Sequence, residues 1–167
     1  MKAARLINDE KATQIIEHIT YNRLDAAYDQ DVFTRATLRG KLDVNAMEAN
    51  RSLYSHVIYD SDNERRFAQE LDVSDQVAVY VKLPGSFYIS TPVGKYNPDW
   101  AIAFNEGSVK HIYFVAETKG NLDTMELRGV ENAKIECAKK HFAAISNGSV
   151  VYSVVDNYST LMQLVSN

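Results

Sequence analysis

The sequence predicts an α/β fold: a mixed β-sheet flanked by helices and preceded by a helical extension. Three observations carry this. Four apolar stretches, "QVAVYVKL", "DWAIAF", "HIYFVAETKG" and "SVVYSVV", read as strands. Two helical stretches interrupt them, "SDNERRFAQELD" before the first and "VENAKIECAKKHFAAI" between the third and fourth. The order helix, three strands, helix, strand allows an antiparallel meander for the first three strands. The later helix is a crossover, so the last two strands should run parallel. Such a mixed sheet is not a doubly wound nucleotide fold, and since neither GxGxxG nor GxxxxGK(S/T) occurs, the chain carries no phosphate-cradling loop of its own.

Taken in order, residues 2–30 read as helical, with Leu6, Ile7, Ile15, Ile16, Ile19 and Leu24 at roughly helical spacing. Residues 31–50 are less regular, and Gly40 is a plausible break between short helices. A second block starts near Ser52, which divides the chain into an extension, 1–51, and a domain, 52–167. In that block Ser61 is placed to cap a helix, and Glu64 follows at capping-box spacing. Glu64 also leads the apolar stripe Phe67, Ala68 and Leu71, so it is directed towards the core side as well. The Pro/Gly-punctuated stretch 84–97 is read as a loop, suited to lining a groove, and "NEGSVK" as a turn. Ile135, Ala138, Phe142 and Ile145 form the inward stripe of the crossover helix, and a short helix begins near Ser159.

The 167 residues hold 22 acidic and 18 basic side chains, a net charge of −4. That balance argues against a strong free-standing nucleic-acid binder while leaving room for a local basic groove. The single cysteine, Cys137, forbids an intramolecular disulfide and a zinc finger. With no long apolar run and no signal-peptide pattern, the expectation is a soluble cytoplasmic protein with no membrane partner.

The chemistry concentrates at "YNPDWAIAF". Pro98 fixes its own φ and keeps Asn97 extended, so the start of this strand is stiff and opens on a carboxylate, Asp99. If 106–110 is a hairpin loop, Asn105 lies opposite His111 and Asp99 opposite Glu117. Lys119, two residues on, shares the face of Glu117. Like charges on opposed strand positions repel, and they persist when a cation sits between them. A hard divalent ion held by one or two carboxylates answers this, and a surface salt-bridge cluster is the alternative. Cys137 and His141, one helical turn apart, offer a thiol–imidazole pair, but no oxyanion donor or orienting acid can be assigned; a buried cysteine and a surface histidine are the expectation. His18, His56, His111 and His141 show no metal-ligand spacing. Glu131 and Lys134 read as an exposed ion pair, and the scattered tyrosines make no base-stacking platform.

The order "PD … ETK" fits the PD-(D/E)XK nuclease pattern. The stretches "YDSDNERRFAQELD", "VYVKLPGSFYISTPVGKYNPDWAIAF", "YFVAETKGNL" and "LRGVENAKIECAKKHF" closely resemble the C-terminal endonuclease domain of the restriction (Res) subunit of Type III restriction–modification enzymes. The resemblance covers roughly Ser52 to Val155, and earlier residues resemble the helical spacer that joins this nuclease to a helicase-like motor. It implies a PD-(D/E)XK restriction-endonuclease-like core and Mg²⁺-dependent hydrolysis of DNA phosphodiesters, with Mn²⁺ able to substitute. Asp99 and Glu117 match the metal-binding acids, Lys119 the lysine that positions or activates water, and Glu64 the helix glutamate found in many such nucleases, which is either a further metal ligand or a helix cap. The implied partners are double-stranded DNA, the modification (Mod) methyltransferase subunit and the motor domain of the same subunit; ATP belongs to that motor, whose motifs this chain lacks. Lys95 and Lys134 are the candidates for contacting DNA. The alternatives are a catalytically silent module that keeps the fold for docking, and an unrelated Mg²⁺-dependent phosphohydrolase acting on nucleotides.

Overall fold

The computed structural model describes residues 16, 18–22, 41–42, 44–92, 94–105, 107, 113–118, 129–146 and 150–166, of which 113–118 and 129–130 are described by their backbone. Its centre is a four-stranded sheet made of β3 (Val77–Lys82), β6 (Trp100–Phe104), β7 (Tyr113–Thr118) and β8 (Val150–Val155), in the order β3-β6-β7-β8. The first three strands pair antiparallel and β7 pairs parallel with β8. Helix α2 (Gly129–Ile145) makes the crossover that a parallel pair requires. This is the strand order and sense expected from the sequence.

Helix α1 (Asp62–Val73) starts where the sequence places its cap. The Glu64 N–H donates to Ser61 Oγ at 3.2 Å, which satisfies one orphan donor of the first turn, and Glu64 Oε2 in turn accepts from the N–H of Asp60, just before the cap, at 2.7 Å. Asp62 and Glu64 add negative charge at the positive end of the helix. Phe67, Ala68 and Leu71 then bury on the sheet against Val77, Tyr80, Trp100, Ile102 and Phe104. Leu161 and Val165 of helix α3 (Tyr158–Ser166) complete this cluster.

On the opposite face, Ile135, Ala138 and Phe142 of α2 pack with Val81, Leu83 and Tyr152, with Ile145 at the margin. The two faces are separated by alternation along β6, where Trp100, Ile102 and Phe104 belong to the α1 side and Ala101 to the α2 side. Strand β3 departs from simple alternation. A register shift between Val77 and Val79 puts Val77 and Tyr80, three residues apart, into the same α1-side cluster and leaves Val79 exposed.

Several expectations need correction. The stretch 84–97 is not a plain loop, because β4 (Ile89–Thr91) and β5 (Gly94–Tyr96) form a hairpin in it. Gly94 sits at φ +113° in its turn, a conformation that suits glycine. Ile89 and Tyr96 anchor the hairpin in the α2-side core, and the Tyr96 hydroxyl hydrogen-bonds that of Tyr152. A second small hairpin, β1 (Ala46–Glu48) with β2 (His56–Ile58), straddles the proposed boundary at residue 52. Strands of three residues carry too little periodicity to be recognised in sequence. Of the helical reading of 2–30, most lies outside the described residues; positions 16 and 18 are helical, whereas 19–22 are not. Thr20, Tyr21 and Asn22 are weak helix formers, and the Tyr21 ring is engaged edge-on with His141 instead. Gly40 and the 105–110 turn fall wholly or mostly outside the described residues.

Candidate active site

The start of β6 is held from several sides. Pro98 is fully buried. The Asn97 side-chain amide donates to the Gly85 and Phe87 carbonyls at 3.0 and 2.6 Å, and the Leu83 N–H donates to the Asp99 carbonyl at 2.7 Å. Asp99 is half-buried. Across the strand pair the register reads Trp100 with Ala116, Ala101 with Val115, Ile102 with Phe114 and Ala103 with Tyr113. The pairing stops at Trp100 and Ala116, and Asp99 and Glu117 are the next residues beyond that pair on the two sides. The Glu117 backbone also pairs with Val154 of β8, so position 117 lies on an interior strand of the sheet. Lys119 lies outside the described residues. Asp99 and Glu117 together are a donor set suited to a hard divalent cation. Among the described residues no group of three or more His, Cys, Asp or Glu is spaced to hold a metal ion.

Glu64, on α1, has a partner 18 positions away in the sequence. Lys82 Nζ lies 2.7 Å from both Asp60 Oδ2 and Glu64 Oε2. Burial by itself would lower the Lys82 ammonium, but the hydrogen bonds to Asp60 and then Glu64 more than offset it, and its pKa is raised. The sequence held one signal for this contact: a lysine between Val81 and Leu83 in an otherwise apolar strand must find a counter-ion where the strand reaches the core.

Lys95 and Lys134 come to neighbouring positions at the β4–β5 hairpin. Lys95 Nζ stands 3.7 Å from the Tyr88 ring centroid. The Lys134 side chain passes Gly94, its Cε 3.9 Å from where a Cβ would sit, and its Nζ is 4.0 Å from Glu131. The thiol–imidazole alternative fares poorly. Cys137 is buried with Ile16 and Ala133, and burial pushes its thiol up, the opposite of what a nucleophilic thiolate needs. His141 is half-buried rather than a surface residue, its Nδ1 has no hydrogen-bond partner among the described residues, and burial lowers its pKa.

No helix among the described residues is long and apolar enough to cross a membrane. A search of curated proteins and a search of solved structures each found no match. Residues 50–158, spanning α1, the whole four-stranded sheet and α2, match the family model described as "Endonuclease domain", RE_endonuc. Covering well over half of the chain, that match makes this protein a member of the endonuclease-domain family.

Proposed function

We propose that this protein is a Mg²⁺-dependent deoxyribonuclease of the PD-(D/E)XK type, the nuclease domain of a Type III restriction enzyme's Res subunit. The observation that supports the reading is the β6–β7 register, whose last pair, Trp100 with Ala116, is followed by Asp99 and Glu117 beside a rigid Asn97–Pro98 turn. Asp99 and Glu117 would hold the ion, for which Mn²⁺ would substitute. Bound there, the ion would supply an acidified water and positive charge against the phosphate. Lys119 would hydrogen-bond the attacking water and a phosphate oxygen, its ammonium stabilising charge that develops in the transition state. Lys95 and Lys134 line the DNA path along the β4–β5 hairpin. The modification subunit and the ATP-driven motor are the partners that load DNA in this reading, so the chain by itself binds duplex DNA weakly and with steep salt dependence.

The test is cleavage of supercoiled DNA by the enzyme assembled from full-length Res carrying this domain and its modification subunit, with Mg²⁺ or Mn²⁺ and an EDTA control. Cleavage lost in Asp99→Ala and in Glu117→Ala, with both variants folded, is the expected result. Undiminished cleavage in either variant, or in EDTA, would overturn the assignment, and turnover of free nucleotides would point to a phosphohydrolase.

A further inference from the structure

We propose that Lys82 is a positioning residue of the nuclease site, and that Glu64 serves Lys82 as its counter-ion and is not a ligand of the metal. The proposal rests on the reading of Asp99 and Glu117 as the acids that hold the ion. Of the two carboxylates 2.7 Å from Lys82 Nζ, that of Asp60 is 80% exposed and that of Glu64 only 13%, while Lys82 itself is 18% exposed. The Lys82–Glu64 contact is therefore the desolvated one, and solvent screens it least. Both the Lys82 ammonium and the Asp60 N–H bond land on the same oxygen, Glu64 Oε2. Bidentate coordination by Glu64 would take Oε2 from Lys82 and strand a buried charge, which is costly.

Strand geometry argues the same way. Lys82 pairs across β3–β6 with Trp100, on the α1 side of the sheet. Alternation assigns position 99 to the other side, with Ala101. Lys82 reaches Asp99 through the backbone: the next residue, Leu83, donates its N–H to the Asp99 carbonyl at 2.7 Å. The ion pair thus locks the N-terminal turn of α1 to the end of β3, and the end of β3 fixes the main chain that presents Asp99.

Calorimetric titration of Mn²⁺ into the parent chain and into Glu64→Gln, Lys82→Met, Lys82→Arg and Asp99→Asn decides it, with circular dichroism to establish that each is folded. Glu64→Gln, which keeps an acceptor for Lys82 and for the Asp60 N–H, should bind Mn²⁺ within threefold of the parent at the same stoichiometry. Lys82→Met should weaken Mn²⁺ binding at least fivefold, and Lys82→Arg should restore it to within threefold. A tenfold loss or a lower stoichiometry in Glu64→Gln would make Glu64 a ligand and overturn the proposal. Tighter binding in Lys82→Met would make Lys82 a competitor of the metal, and unchanged binding would reduce it to a structural clamp; either outcome overturns it. If Lys82→Met does not fold, Glu64→Gln alone separates a counter-ion from a ligand. Loss of binding in Asp99→Asn separates these failures from failure of the metal site itself. An Asp99→Asn protein that binds like the parent, or a parent that binds no Mn²⁺, sinks both.

Discussion

Trp100→Ala tests the core that supports Asp99. Trp100 is the chain's single tryptophan and is completely buried. Its ring centroid lies 5.6 Å from that of Phe67 and 6.2 Å from that of Tyr80, so it joins α1 to the sheet one residue beyond Asp99. At roughly 25 cal/mol per Å² and up to about 250 Å² of buried side chain, transfer alone bounds the loss at about 6 kcal/mol. The bound is high because the unfolded chain already buries part of that area. Truncation of large aromatic residues in packed cores costs about 3–5 kcal/mol, and the upper half of that range is expected where helix and strand cannot collapse together. With an m-value of about 2 kcal/mol/M, the urea midpoint should fall by about 2 M. Far-UV circular dichroism is the suitable probe, because the substitution removes the chain's only indole. A loss below about 1.5 kcal/mol would mean that Trp100 does not organise the α1–sheet interface.

Ser61→Ala removes the acceptor for the Glu64 N–H and should cost about 1 kcal/mol in urea unfolding, with no loss indicating that the cap is replaced by water. His141 has its pKa lowered by burial from 6.5, so below about pH 6.5 the unfolded chain takes up more protons than the folded one and stability falls on acidification through that window. His141→Phe should flatten the fall between about pH 7.5 and 5.5; identical slopes for parent and variant would contradict it. Lys119→Ala should bind Mn²⁺ as well as the parent, or slightly better once a competing cation is gone, while the assembled enzyme fails to cut. Unimpaired cleavage would reduce Lys119 to a surface charge, and lost metal binding would mean that it organises the acids.

The strands that were legible in sequence are those whose apolar pattern runs long enough to show a period. "WAIAF" alternates through five residues and its faces come out as read, with Trp100, Ile102 and Phe104 buried together. The sense of β8 followed from the intervening helix, since a parallel partner needs a crossover. The capping box at Ser61 was legible because it depends on three residues close in sequence. What stayed hidden depends on distant contacts or on broken periods. The shift between Val77 and Val79 sends Val79 outward although the alternation of Val77, Val79 and Val81 is unbroken in sequence. The β4–β5 hairpin is built from three-residue strands held by Tyr96 and Ile89 rather than by a pattern of their own. The Lys82–Glu64 pair joins residues 18 positions apart, and no local rule connects them. For the candidate site, the β6–β7 register that brings Trp100 to Ala116 needed only a hairpin, so it was readable; the pairing of Glu64 with Lys82 needed the packing of α1 on the sheet.

The proposed chemistry requires that Asp99 and Glu117 hold a divalent ion. Diffraction from crystals soaked in Mn²⁺, with data collected for anomalous scattering, tests it most directly. One strong anomalous peak is expected, with carboxylate oxygens of both Asp99 and Glu117 at about 2.0–2.3 Å and Lys82 still seated on Glu64. A peak on Glu64 with Lys82 displaced, or none between positions 99 and 117 in crystals that take up the ion elsewhere, would contradict it.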